Sequence, residues 1–141
     1  MSYTTTDIEQ LIPQRAPIVM LDTFSRIDEK NYASELTIRE DNIFCVGDKF
    51  AEVGIIEHIA QTAAAYTGYK HLVEADSVKL GYIGDVKNCR FTVYPSKGDT
   101  LHTTIRIVSE INDITLITAE TKVADQLVAT CKMKLATDES K

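Results

Sequence analysis

The stretch Val53–Tyr69, VGIIEHIAQTAAAYTGY, decides how this chain of 141 residues folds. It contains no proline, and it is long enough for a helix of about four to five turns. Apolar or small residues occupy nearly every face, and Glu57 is its only formally charged residue. A helix that is apolar all round is buried. We therefore predict that this helix forms the centre of the fold.

Glu57 is the residue of this helix that calls for a chemical explanation. Acidic side chains are rarely buried without a partner, and Gln61, four residues on and on the same face, can supply one. The carboxyl is either simply hydrogen-bonded in the interior or a general acid or base. The helix is not predicted to span a membrane, because its apolar run is shorter than the roughly 18 to 20 residues required.

Composition excludes several classes of function. The 15 basic and 21 acidic residues give a net charge of −6, which argues against nucleic acid or an anionic membrane as the main partner. The start, MSYTTTDIEQ, lacks the basic and apolar regions of a signal peptide, so a cytoplasmic protein is expected. Cys45, Cys89 and Cys131 are widely spaced, with no CxxC pair, and indicate neither a disulfide framework nor a metal site. No cofactor is expected.

The rest of the chain predicts strands. After a short helix at 8–11, alternating or continuous apolar residues indicate extended segments at 18–27, 34–39, 78–83, 89–94, 101–107, 114–123 and 127–135. The segments at 18–27 and 34–39 are expected to form a hairpin and the last three segments a meander, and a break is expected near Gly84-Asp85. We expect an irregular segment at 41–52, a polar linker at 71–77 and a frayed tail at 138–141. The predicted fold is a single α+β domain over 1–141, with an antiparallel sheet of about six strands wrapped around the helix. The open sheet edge favours addition of a second copy.

Several motifs, in the same order, resemble those of the 3-hydroxyacyl-acyl-carrier-protein dehydratases, which have the hotdog fold. They are LIPQRAP at 11–17 with VMLD at 19–22, IIEHIAQ at 55–61, NCRF at 88–91 and KGDTL at 97–101. Their counterparts in the family read LLPHR-x-P with LLVD, IIEAMAQ, NARF and PGDQL. The stretch from Glu52 to Tyr69 is more similar to a divergent branch, the small dehydratase subunits of aryl-polyene-type clusters. The likeness covers about residues 10–136 and implies a hotdog fold.

The resemblance also implies a site. In that family the helix glutamate assists departure of the 3-hydroxyl, and a histidine from a loop of the other subunit removes the α-proton. Glu57 matches the glutamate, and Gln61 would orient it. The helix N-terminus at Val53 and Gly54 would direct backbone N–H groups to the thioester oxygen. The implied partner is an acyl carrier protein, and the implied assembly is a dimer or a trimer of dimers.

The family histidine does not carry over. Asp48 stands at its place in the loop, and it is either a replacement base or a turn residue after Gly47. His58 adjoins Glu57 but is rotated by about 100° round the helix. It is either a base or a histidine at the edge of the core. His71 and His102 are expected at the surface.

The function that the resemblance implies is a lyase. It would dehydrate 3-hydroxyacyl thioesters on acyl carrier protein to trans-2-enoyl thioesters, in fatty-acid or polyene synthesis. One alternative is a non-catalytic or half-site subunit that works beside a second hotdog dehydratase, because the histidine is missing. Another is an acyl thioesterase, since hotdog thioesterases also use a helix carboxylate.

Overall fold

The computed structural model describes residues 3–74 and 79–139. Within these residues, helix α1 spans Glu52–Glu74. The strands are β1 (Tyr3–Thr5), β2 (Thr23–Arg26), β3 (Asn31–Thr37), β4 (Cys45–Val46), β5 (Lys49–Phe50), β6 (Lys79–Phe91), β7 (Thr100–Ile111), β8 (Ile114–Val123) and β9 (Gln126–Glu139). Seven of these described strands form one antiparallel sheet in the order β1-β2-β3-β7-β8-β9-β6, and β4 and β5 form a separate hairpin. Helix α1 packs against β3, β6, β7 and β9.

The core lies between α1 and one face of the sheet. Strand β7 shows why, because Leu101, Thr103, Ile105 and Ile107 are buried while the residues between them are exposed. Alternate side chains of a strand point to opposite faces, so this pattern places one apolar face towards the helix. The predicted meander of the last three strands is confirmed as β7, β8 and β9.

The helix is longer than its apolar stretch predicts. It continues to Glu74, so the predicted linker at 71–77 is wrong for its first four residues. No glycine or proline interrupts this part, and its side chains at 71–73 are exposed, as in the last turn of a helix that has left the core. The remainder of that linker, 75–77, lies outside the described residues.

Strand β6 is continuous where a break was expected near Gly84-Asp85. The pairing with β9 shifts register between Ile83 and Asp85, so the glycine marks a bulge and not the end of the strand. The first predicted residue of this strand, Val78, lies outside the described residues. At the other end of the chain, β9 runs to Glu139, and the tail predicted to fray from 138 is still paired at Asp138 and Glu139.

The predicted strand at 18–27 is wrong in its first half. Only Thr23–Arg26 form a strand, and they pair with β3 as the predicted hairpin requires. The N-terminal segment also differs, because Ile8–Gln10 form one turn of 3₁₀ helix and Tyr3–Thr5 add β1 to the edge of β2. The sequence did not predict β1 because its two threonines are polar. A strand at an exposed edge of the sheet can form with few apolar residues.

One glycine lets the N-terminal segment lie directly on the helix. A Cβ atom on Gly68 would come within 2.0 Å of the Leu11 carbonyl oxygen. Only a residue without a side chain permits this approach. The contact positions the segment that runs from Leu11 towards Met20 along α1. No helix in the described residues is long and apolar enough to cross a membrane.

Candidate active site

Glu57 lies in the second turn of α1, and its side chain is half-buried. Its Oε2 accepts a hydrogen bond of 2.7 Å from Gln61 Nε2. The pair confirms the partner that the spacing of four residues predicts. Glu57 is less deeply placed than the sequence suggests, and a half-buried carboxyl remains reachable from outside the protomer.

Gln61 has no freedom to rotate. The residue is 1 % exposed, and its Nε2 also donates to the Ile18 carbonyl at 2.9 Å. Its Oε1 accepts from the Met20 amide at 2.6 Å. Both donor hydrogens and the acceptor oxygen are therefore used, and the amide cannot flip without losing these bonds. The side chain that holds Glu57 is itself fixed by backbone.

These bonds explain why 18–22 is not a strand. The alternating sequence fits a strand, but the Ile18 carbonyl and the Met20 amide bond to Gln61 of the helix instead of to a neighbouring strand. Backbone polar groups must find partners when they are buried. Here the helix supplies those partners, and the segment becomes part of the site.

His58 is buried beneath the same segment, with 0 % exposure. Its Nδ1 lies 2.7 Å from the Met20 carbonyl oxygen, which only accepts, so Nδ1 carries the proton. Nε2 must then accept from the Thr103 hydroxyl at 2.8 Å. Thr103 in turn accepts from Thr121 at 2.6 Å. The network crosses the core from helix to sheet with every donor assigned.

Burial lowers the pKa of His58 from 6.5 to about 4. The hydrogen bond to the Met20 carbonyl and the charge of Asp22 oppose this shift but do not cancel it. The ring is therefore neutral near pH 7. Desolvation dominates because water cannot reach either ring nitrogen.

Asp48 lies at the surface, unlike the buried Gln61 and His58. It is exposed, at the turn of the β4–β5 hairpin next to Gly47, whose φ is +60°. Its carbonyl accepts from the Lys97 amide at 3.0 Å. Within the part of the chain that the structure describes, no hydrogen bond joins its carboxyl to Glu57. The structure thus places Asp48 at an accessible tip, outside the hydrogen-bonded cluster of Gln61 and His58.

The helix N-terminus is packed against the same hairpin. The Gly54 amide donates to the Ala51 carbonyl at 3.0 Å. A Cβ atom on Gly54 would meet the Phe50 ring at 2.6 Å and Phe44 at 2.7 Å. Val53 is 58 % exposed in the first helical turn, where backbone amides have no acceptor within the helix. Val53 is therefore better placed than Gly54 to donate to an incoming oxygen.

The two remaining histidines lie away from Glu57. His71 follows it by fourteen residues, roughly 20 Å along the helix axis, and is exposed. His102 is on β7, and its Nδ1 is 3.0 Å from Glu35 Oε2, on the sheet face turned away from the helix. Among residues 3–74 and 79–139 no group of three or more His, Cys, Asp and Glu side chains could hold a metal ion.

The amino-acid sequence of this chain is similar to that of a known protein family. A family model described as ApeP-like, ApeP dehydratase, matches residues 6–140. The chain belongs to the ApeP-like dehydratase family. The prediction from the sequence motifs, including the aryl-polyene-type branch, is confirmed.

The similarity of this ApeP-like dehydratase to its relatives extends over nearly its whole length. It is 28 % identical over 144 residues to the 3-hydroxyacyl-[acyl-carrier-protein] dehydratase FabZ of Shewanella woodyi, covering 96 % of this chain and 94 % of the relative. It is 25 % identical to the FabZ of Lactococcus lactis, covering 99 % and 93 %. The dehydratase heterocomplex ApeI:P from Xenorhabdus doucetiae superposes with a TM-score of 0.84 at 16 % identity, covering 93 % of this chain and 90 % of that one. The predicted hotdog fold is thereby confirmed, and the sheet has seven strands in the described residues where about six were expected.

Sequence reasoning missed the residues that hold the site from outside the helix. The backbone of Ile18 and Met20 positions Gln61 and His58, and the Thr103 hydroxyl completes the buried network. The motif at 19–22 was the only signal that this segment matters. Thr103 gave none, because a threonine on the apolar face of a strand is ordinary.

Proposed function

We propose that this chain dehydrates 3-hydroxyacyl thioesters carried on acyl carrier protein to trans-2-enoyl thioesters, in fatty-acid or polyene synthesis. The observation that carries the proposal is the carboxyl of Glu57, held by Gln61 on the central helix of a chain in a dehydratase family. In the described residues its Oε1 carries no hydrogen bond, so that oxygen is available to a substrate hydroxyl. The FabZ relatives are named for this reaction.

The reaction divides into two proton transfers. A base removes the proton on the carbon next to the thioester, and the electron pair moves to form the carbon–carbon double bond. The bond between carbon 3 and its hydroxyl oxygen breaks. The oxygen takes a proton from Glu57 and leaves as water. A backbone N–H at the start of α1, with Val53 the better placed donor, stabilises charge on the thioester oxygen.

His58 is proposed to position the site and not to act as its base. Both ring nitrogens are engaged, one with the Met20 carbonyl and one with Thr103. A pKa of about 4 also makes the imidazole a weak proton acceptor. Of the two candidates in this chain, Asp48 is the accessible one, and Asp48→Asn tests whether it serves as the base.

A second candidate function is that of a half-site subunit. None of the three histidines is free to act beside Glu57. A second hotdog chain would then supply the base, while this chain supplies Glu57 and part of the acyl site. The similar solved structure from Xenorhabdus doucetiae is named a dehydratase heterocomplex, which supports a pairing of two different chains. Strand β6 ends the sheet and offers a long edge to which another chain can add.

Mass spectrometry of a 3-hydroxyacyl carrier protein distinguishes these functions. Incubation with the purified chain alone is expected to remove one water from the acyl group. If water is lost only after a second hotdog chain is added, the half-site function is correct. Release of the free carrier thiol would instead indicate a thioesterase. An unchanged acyl group under both conditions would refute the dehydratase proposal.

A further inference from the structure

Two cysteines that are far apart in the sequence meet on neighbouring strands. Cys89 lies on β6 and Cys131 on β9, and their sulfur atoms are 2.9 Å apart. Both are free thiols. Cys131 is buried and Cys89 is half-buried, and both side chains face the core. This separation is shorter than an ordinary contact between two sulfur atoms. The two atoms therefore need to move only slightly to form a bond.

A bulge in β6 creates this pairing. Lys87 faces Lys132 and Arg90 faces Thr130, so two residues of β6, Asn88 and Cys89, lie opposite Cys131 alone. Asn88 has a φ of 53°, in the left-handed region that asparagine tolerates better than most residues. The irregular backbone turns Cys89 towards Cys131. The 2.9 Å between the two sulfur atoms means that the side chains point towards each other, as a disulfide requires.

We propose that Cys89 and Cys131 form a modification site, at which a peroxide converts the thiol pair to a cross-strand disulfide. Cys89 sulfur attacks the peroxide oxygen, the O–O bond breaks, and Cys89 becomes a sulfenic acid with release of water. Cys131 sulfur then attacks Cys89 sulfur, and the sulfenic hydroxyl leaves as a second water with the Cys131 proton. Hydrogen peroxide is reduced by two electrons, and the two thiols are oxidised by two.

The order of the two steps follows from the surroundings of each sulfur. Burial, with Cys89 as its neighbour, raises the pKa of the Cys131 thiol to about 12. The thiolate is the reactive form, so Cys131 is a poor first nucleophile. Cys89 is the more accessible sulfur and meets the oxidant first. Cys131 is the thiol that resolves the sulfenic acid, because its sulfur is already in contact with that of Cys89.

The third cysteine provides an internal control. Cys45 lies on β4 of the separate hairpin, and burial raises the pKa of its thiol as well. No hydrogen bond or sulfur contact joins it to the other two cysteines in the described residues. Oxidation of the folded protein should therefore link one specific pair and spare Cys45. Unfolded chains would instead give a mixture of all three pairings.

The test treats the folded, full-length protein with limited hydrogen peroxide, then unfolds it in acid and alkylates the remaining thiols without reductant. Peptide mapping by mass spectrometry is expected to show the 89–131 crosslink, with two hydrogens lost per chain, and an alkylated Cys45. Formation in the folded protein should be at least about tenfold faster than in denaturant, because the thiols are held together. Dithiothreitol should restore both thiols, and Cys45→Ser should leave the crosslink unchanged.

Two results in the wild-type protein would overturn the proposal. One is full alkylation of both cysteines after peroxide treatment that leaves the fold intact by circular dichroism. The other is accumulation of sulfinic acid at Cys89 in wild type, since a resolving thiol in contact should prevent it. In Cys131→Ala, where no resolving thiol exists, Cys89 should become over-oxidised, whereas Cys89→Ser should protect Cys131 from peroxide. In the folded variants, a Cys89 that stays reduced in Cys131→Ala, or a Cys131 that is oxidised in Cys89→Ser, would contradict the assigned order.

Discussion

Acidification should destabilise this protein through one buried histidine. His58 has a pKa of about 4 in the fold and an ordinary value of 6.5, because burial opposes its charge. Between these values the unfolded chain binds a proton that the folded chain does not. Stability therefore rises with pH across this window and falls as the pH is lowered through it.

The size of this loss of stability follows from the two pKa values of His58, in the folded and in the unfolded chain. At about pH 7 His58 is neutral in both states and contributes almost nothing. At about pH 4.5 it is charged in the unfolded chain and still mostly neutral in the folded one, which costs roughly 2 kcal/mol of the free energy of unfolding. That is a large share of the roughly 5 to 15 kcal/mol that a domain of this kind has available.

Urea unfolding at several pH values, followed by circular dichroism, measures the effect. Carboxylates titrate in the same range, so the quantity to compare is the difference between wild type and His58→Asn. Asn can still donate to the Met20 carbonyl but does not titrate, and it is expected to be less stable than wild type at neutral pH. The gap should shrink by roughly 2 kcal/mol on going from about pH 7 to about pH 4.5.

NMR of the wild-type protein alone measures the pKa of His58 independently. The NMR chemical shift of the His58 ring should stay nearly constant from about pH 7 down to about pH 5 and change only around pH 4, the pKa of the folded protein. A ring that titrates with an ordinary pKa in the folded protein would refute the reasoning. So would a gap between wild type and His58→Asn that stays constant over the whole range.

Three substitutions test the packing around the helix. Gly68→Ala would normally favour a helix, but its methyl group must displace the Leu11 backbone 2.0 Å away, so urea unfolding should show a loss of about 1 to 3 kcal/mol. Gln61→Leu removes the amide that fixes Glu57 and should lower stability by about 2 to 4 kcal/mol, with a larger proportional loss in kcat than in substrate affinity. Gly54→Ala meets two phenylalanine side chains at 2.6 and 2.7 Å and should shift the helix N-terminus, which costs about 1 to 3 kcal/mol.

The sequence predicts the central helix and its key pair because both depend on local spacing. Val53–Tyr69 is apolar on nearly every face, and Glu57 and Gln61 are four residues apart. No distant residue is needed to infer either feature. The meander of the last three strands is equally local, since each strand alternates cleanly and short polar turns separate them.

The parts that sequence reasoning missed depend on contacts between distant segments. Residues 18–22 alternate like a strand, and only the folded chain shows that Gln61 and His58 capture their backbone. The pairing of Cys89 with Cys131 needs a bulge at Asn88 and strand pairing across 42 residues. The predicted linker at 71–77 begins too early because the helix continues to Glu74 after it has left the core, where the side chains at 71–73 are exposed.

The role of Glu57 as the general acid is the central claim, and a single comparison tests it. The rate of water loss from a 3-hydroxyacyl carrier protein is measured for wild type, Glu57→Gln and the control Glu120→Gln. Glu120 is exposed on β8, where it pairs with Lys122. If the chain needs a second hotdog subunit, that subunit is present in all three assays. Glu57→Gln should be slower by roughly a hundredfold to ten-thousandfold, as expected for a lost acid, while the control matches wild type. Full activity of a folded Glu57→Gln would contradict the account.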